Sequence, residues 1–213
     1  MSENVPRMRK AERETRDTGK TMFINAPEDN PERQELYANN VASMGFVMNL
    51  TRAWAWRPEI LEEFAALRNR LTEASGLTKR EAAVVVCAAA SERRDAYCSL
   101  AWGRTLAREA GEQAAAAVIG RMSTPALSTR ENALAVWVRK VITDPNATTP
   151  SDVDALRAAG ISDQEIFEAT AFAGFRLAFS SINAALGVCP DAEFAGQVPP
   201  VVYERVNFGR VAQ

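Results

Sequence analysis

A hydroxyl residue followed three positions later by a carboxylate recurs along this chain: Thr78 with Glu81, Ser128 with Glu131, Ser151 with Asp154 and Ser162 with Glu165. In that spacing the hydroxyl accepts from the backbone N–H of the acidic residue, whose carboxylate reaches back to the first N–H. Two of the donors stranded at a helix start are thereby satisfied. Apolar residues follow at once. Ala82 to Ala90 is apolar all round, which requires burial on most faces. Leu134, Trp137, Val138, Val141 and Ile142 follow the second box; Phe167, Phe172, Phe175 and Phe179 follow the last, before Gly187 and Pro190. No segment sustains strand-type alternation, so the chain is predicted to be all-α.

The remaining punctuation agrees. Asn30-Pro31 reads as an N-cap and first helical position, opening a helix from about Glu32 into the Leu50 region. Pro58 opens another, with Leu61, Phe64, Leu67 and Leu71 as its stripe and Gly76 as a C-terminal cap. Asp95 caps a further helix reaching toward Gly111. These signals divide the chain into a polar arm over 1–30, a helical domain over 31–190 and a tail over 191–213. Leu77-Thr78-Lys79-Arg80-Glu81-Ala82-Ala83 is echoed by Leu127-Ser128-Thr129-Arg130-Glu131-Asn132-Ala133. That is the pattern of a short internal helical repeat, or of two independent capping boxes.

Composition narrows the function. The 213 residues are 47% hydrophobic, enough for a sizeable core in one domain or two small ones. With 25 Lys+Arg against 27 Asp+Glu, the net charge of −2 offers no electrostatic reason to bind nucleic acid or an anionic membrane. There is no histidine. Histidine-based nucleophilic triads and metal sites are therefore excluded, and neither metal nor cofactor is expected. Cys87, Cys98 and Cys189 lack metal or disulfide-framework spacing, which suits a reducing cytoplasm. The first twenty residues have no apolar signal region, and no apolar run reaches the roughly 20 residues of a membrane span.

The segment from Leu77 to Gly111 resembles the alkylhydroperoxidase D-like family, also named for carboxymuconolactone decarboxylase. The family motif is a capped buried helix followed by Cys-x-x-Cys-x-x-x-His at the start of the next. Here that stretch reads Asp95-Ala96-Tyr97-Cys98-Ser99-Leu100-Ala101-Trp102-Gly103. Trp56-Arg57-Pro58-Glu59-Ile60-Leu61 and Asn183-Ala184-Ala185-Leu186-Gly187-Val188 also look like family segments, and the resemblance spans roughly Gln34 to Val188. It implies the family's helical fold and a small-molecule substrate. In its peroxidases two cysteines cycle through a disulfide, assisted by Glu and His. Placed residue by residue, the first Cys falls on Asp95, the second on Cys98, the His on Trp102 and the Glu on Ala83. Glu81 is two positions early and belongs to the capping box.

The two-cysteine cycle is thus not possible, and nothing in the sequence positions Cys87 as a substitute. Cys98 is either a lone reactive thiol or a buried structural one. Its place in the first turn of a helix favours the thiolate, and Asp95 disfavours it. Asp95 is an N-cap, and also a candidate general acid/base. Tyr97 and Trp102 are candidate pocket residues, although Trp102, like Trp54 and Trp56, also reads as core. Arg80 is expected to pair with a carboxylate, and Arg176, inside a Phe-rich helix, must find a partner if buried. Three functions follow: a thiol-dependent hydroperoxide reductase with a degraded relay; a cofactor-free lyase, decarboxylase or isomerase acting on a small organic acid or lactone through Asp95; or a non-catalytic binding relative. A homo-oligomer, dimer or trimer, is expected from the family and from apolar residues outside the main helices. These are Met22-Phe23-Ile24 in the arm, and Phe194, Val198, Val201, Val202, Tyr203 and Phe208 in the tail.

Overall fold

Satisfied backbone donors at the helix starts, and apolar faces behind them, build the architecture. The computed structural model describes residues 20–73 and 75–213, and among these there is no strand. The helices are α1 (Pro31–Met44), α2 (Asn49–Trp54), α3 (Pro58–Glu73), α4 (Lys79–Glu92), α5 (Ala96–Ala110), α6 (Glu112–Ile119), α7 (Thr129–Thr143), α8 (Pro150–Ala158), α9 (Asp163–Ala185), α10 (Phe194–Gln197) and α11 (Pro200–Tyr203). The boxes at Thr78, Ser128 and Ser162 all close as expected. Helix α4 is buried from Glu81 to Ser91 and packs against α5, α6, α7 and α9. Its alanines and valines let those helices approach from several sides, so it forms the centre of the core.

The echoed motifs meet in space. Arg80 pairs with Glu131 of the other box, and Arg130 pairs with Glu81. Arg130 also reaches Glu165, the acidic member of the α9 box, and the Gly160 carbonyl. The starts of α4, α7 and α9 are thus tied by one ion-pair network. Glu81 and Glu131 are only 6% and 5% exposed. Each carboxylate serves its own cap and a guanidinium from elsewhere, so its buried charge is compensated.

Several boundaries differ from the sequence expectation. The first helix does not run to Leu50: it stops at Met44 because Gly45 adopts φ +88°, where a side chain is strained. The Asn40 side chain accepts the Met48 N–H (2.8 Å), and α2 then starts separately. The third capping box is Thr149 with Asp152 rather than Ser151 with Asp154. Pro150 supplies the N1 position and sets the start two residues earlier. Gly76 does not cap α3, since its N–H donates to Glu168 of α9 (3.1 Å). Helix α6 was not anticipated: its Ala114–Ile119 run is buried beside α5 and lacks a polar cap to announce it.

The segments outside the main helices fold onto their own chain. Phe194, Val198 and Val202 are buried in the main core, so the stretch after Pro190 is not the separate tail expected. Of the arm, residues 1–19 lie outside the described residues. Thr21 accepts from Cys189 N–H (2.9 Å), Phe23 N–H donates to Leu186 (2.8 Å), and Met22 is buried. The Phe23 ring lies on Gly187 (φ +75°), where a β-carbon would come within 2.5 Å of it. Most of the apolar residues that suggested an interface are therefore occupied within the chain. No helix among the described residues is long and apolar enough to cross a membrane.

The network carries a stability prediction. Arg130→Met leaves the buried Glu81 without its cation and is expected to cost about 2–3 kcal/mol in urea unfolding. Arg157→Met, which breaks an exposed pair with Asp163, should leave the midpoint unchanged. Arg130 holds the Glu165 carboxyl down at about 2, below its ordinary 4.5. That contribution is complete above the ordinary carboxylate range and lost as pH falls from about 4.5 toward 2. The native protein should lose stability more steeply across that window than Arg130→Met.

Candidate functional site

The side chains of α5 and α9 that face one another set the site. Asp95 caps α5, one carboxylate oxygen accepting from the Cys98 N–H (3.1 Å) and the other from the Ser180 hydroxyl of α9. On α9, Phe172, Arg176 and Ser180 stand at intervals of four residues and so share one face. This register brings Arg176 Nη2 to 3.1 Å from Cys98 Sγ. The same guanidinium lies over the rings of Phe179 (4.9 Å) and Trp102 (5.5 Å). Among the described residues Arg176 makes no ion pair, and its Nε is buried without an acceptor. The partner it was expected to need is a sulfur and two aromatic faces rather than a carboxylate.

Cys98 and Arg176 form part of the wall of a cavity of about 560 Å³, enclosed by α1, α2, α3, α5 and α9. Its walls are aromatic, with Phe64, Trp102, Phe172, Phe175 and Phe179 among the lining residues. Behind them Trp54 stacks on Phe179 (5.0 Å, 12°) and meets Phe64 edge-on (5.3 Å), while Trp102 meets Phe172 edge-on (6.2 Å). Trp54 is locked by donating from its indole N–H to Asn183 (2.7 Å). Trp102 and Tyr97 both line the cavity, with Cys98 between them in sequence; Trp56 is half exposed, away from it. The Tyr97 hydroxyl donates to Asp191, which also accepts the Asn49 N–H (2.6 Å). Burial and the adjacent Asp191 carboxylate push the Tyr97 phenol well up, so it stays a donor. Asp191 and Asn49 fix α2 to the chain after α9, a pair the sequence reading missed. Neither residue stands in a motif, and 142 positions separate them.

Asp95 is placed differently. Asp95 lines a second cavity of about 500 Å³, beside the segment from Asn207 to Gln213, and Tyr97 lines both; the Asp95 carboxylate itself lies between the Cys98 N–H and Ser180. Cys87 is on α4 and wholly buried, and Cys87, Cys98 and Cys189 are all free thiols. Among the described residues no cluster of three His, Cys, Asp or Glu side chains is arranged to hold a metal ion.

Burial pushes the Cys98 thiol far up, Asp95 adds to the shift, and Arg176 opposes it. In the free protein Cys98 is therefore a neutral thiol beside an unpaired cation.

Comparison with known proteins bears on the scaffold. No family model and no curated protein matches the chain. Among solved structures, an uncharacterized peroxidase-related protein from Silicibacter sp. TM1040 superposes with a TM-score of 0.75 at 23% identity, over 85% of this chain and 97% of that one. A second, the alkylhydroperoxidase AhpD core of an uncharacterized peroxidase-related protein from Ralstonia eutropha JMP134, gives 0.74 at 24% identity, over 85% of this chain and all of that one. This chain has the alkylhydroperoxidase D-like fold. The debrominase Bmp8, in a cysteine-to-alanine variant bound to 2,3,4-tribromopyrrole, shares the fold at lower identity (TM-score 0.69, 14%, 90% of this chain and all of that one).

Alkylation gives a direct readout of the Cys98 environment. Mass-mapped modification by iodoacetamide should be slow at pH 7 and climb about tenfold per pH unit, without a plateau at the ordinary thiol pKa. Asp95→Asn keeps an N-capping side chain and removes the charge, so it should speed the reaction at every pH. Arg176→Met should slow it.

Proposed function

We propose that this protein is a one-cysteine, thiol-dependent reductase of small organic hydroperoxides, with Cys98 as the nucleophile. The contact of Arg176 Nη2 with Cys98 Sγ, at the wall of an aromatic cavity, carries the reading. A buried thiol is a poor nucleophile until it ionises, and the half-buried Arg176 guanidinium in contact with it would stabilise the thiolate formed. The likeness to peroxidase-related proteins of the same fold supports this class of chemistry.

In the first step the Cys98 thiolate attacks the terminal peroxide oxygen. An S–O bond forms and the O–O bond breaks. The alcohol leaves after taking a proton from water, and Cys98 is oxidised to the sulfenic acid. An external thiol then displaces hydroxide from that sulfur, which leaves as water, and a second external thiol reduces the mixed disulfide. No second protein cysteine is required, which fits Asp95 standing where a Cys-x-x-Cys partner would be. Asp95 supports rather than reacts: it holds the α5 start against α9 and borders the other cavity. With both carboxylate oxygens engaged by the Cys98 N–H and the Ser180 hydroxyl, Asp95 has no free oxygen to offer a substrate, which weighs against the lyase reading.

The debrominase of the same fold favours one neighbouring reading, in which the aromatic walls hold a flat halogenated ring. Two external thiols would then replace bromine by hydrogen, releasing bromide and a disulfide.

Cumene hydroperoxide with dithiothreitol tests the main reading. The expected result is consumption of peroxide that Cys98→Ser abolishes, that Arg176→Met lowers by about ten- to a hundredfold, and that rises with pH from 6 to 9. Turnover undiminished in Cys98→Ser would sink it. Bromide release from a bromopyrrole without peroxide turnover would favour the neighbouring reading.

A further inference from the structure

Three guanidinium groups, those of Arg68, Arg104 and Arg176, line the aromatic cavity against a single carboxylate, Glu62, in a protein whose net charge is −2. Among the described residues none of the three is in an ion pair, and neither is Glu62. Arg104 is engaged with the Gln197 side-chain oxygen and with Met44 Sδ (3.8 Å). Arg68 donates from Nε and Nη2 to the neutral Asn69 amide oxygen (3.1 and 3.0 Å), and meets no charged acceptor. Arg176 gives Nη2 to Cys98 and leaves Nε buried and unsatisfied. Partial desolvation at the cavity rim, then the repulsion of Arg176, lowers the pKa of Arg68, and Glu73 only partly offsets this. Two like charges thus stand at one cavity, Arg176 half-buried in its wall and Arg68 at its exposed rim, and among the described residues neither is paired with a carboxylate, so an entering anion would gain from both.

We propose that the cavity binds a small organic carboxylate, with the carboxylate held by Arg68 and Arg176 and the apolar body against Phe64, Phe179 and Trp102. As the substrate class of the enzyme, namely a hydroperoxide that also carries a carboxylate, this rests on the reading of Cys98 as the reacting thiol. The binding itself does not. A carboxylate fits because each guanidinium offers parallel N–H donors matching its two oxygens. The aromatic walls suit a ring or branched chain, and about 560 Å³ is the size of an ordinary small-molecule pocket. The charges also balance. A thiolate on Cys98 and a carboxylate on the ligand together neutralise Arg68 and Arg176, so the carboxylate takes the charge that Arg68 leaves unpaired while Arg176 stays within reach of sulfur.

The test is calorimetric titration of the full chain at pH 7 and low salt with phenylacetate and its neutral isostere phenylacetamide. Phenylacetate is expected to bind at least about tenfold more tightly. That advantage should shrink in 0.5 M NaCl and vanish in Arg68→Met, whose melting temperature should not fall, because Arg68 is exposed at the cavity rim and among the described residues makes no ion pair. Equal affinity for acid and amide, salt-independent binding of the acid, or undiminished preference in Arg68→Met would each overturn the proposal. Inorganic phosphate binding as tightly as phenylacetate would overturn the carboxylate assignment. The two readings fail separately: an acid preference without peroxide turnover removes the reductase and leaves the anion site, and turnover without the preference does the reverse.

Discussion

Helix α4 has almost no face toward solvent, and the rest of the structure is arranged around that constraint. A helix built of alanine and valine in its middle can carry charge only at its ends, so its first turn must be capped and its acidic residue neutralised from outside. Glu81 does both. It closes its own capping box and accepts Arg130 from the equivalent box of α7, while Arg80 returns the pairing to Glu131. With Glu165 added, one network sets where α4, α7 and α9 begin relative to one another. The position of α9 along its axis then decides which of its residues face α5. That is how a network at one end of the bundle determines what stands beside Cys98.

The site shows the opposite arrangement of charge. At the helix starts each buried acid has its cation. In the aromatic cavity, Arg176 is in contact with a thiol and two rings, and Arg68 with an amide. Asp95, the nearest carboxylate to Cys98, has one oxygen on a backbone N–H and the other on a serine hydroxyl, and it raises rather than lowers the thiol pKa. Charge is therefore balanced where the fold needs it and left open where a ligand can supply the balance. A neutral, buried thiol beside a free cation is kept from indiscriminate oxidation, because its reactive form is scarce until something changes the local electrostatics.

Much of the scaffold was legible in the residues because its signals are local. Capping boxes, the Asn30-Pro31 start and the apolar run after Glu81 each report on a few neighbouring backbone groups, and the structure has helices there. Boundaries slipped where two local signals competed. Pro150 outweighed Ser151 at the start of α8, and Gly45 ended α1 inside a sequence that otherwise continued helical. The stretch after Pro190 misled for another reason. Its apolar residues lack periodicity, since they serve as plugs for a core built by other helices rather than as a face of their own.

The sequence by itself determined that the chain is helical, that Cys98 stands in the first turn of a helix behind Asp95, and that neither a histidine nor a Cys-x-x-Cys partner can assist it. These are properties of composition and of spacings shorter than one helix turn. Only the tertiary structure decided that Arg176, 78 positions away, reaches the sulfur; that Asp95 and Trp102 line different cavities; and that Arg68 and Arg176 line the same one. Those facts depend on the rotation and axial offset of α3, α5 and α9 against one another, which side-chain packing around α4 sets and no local spacing encodes.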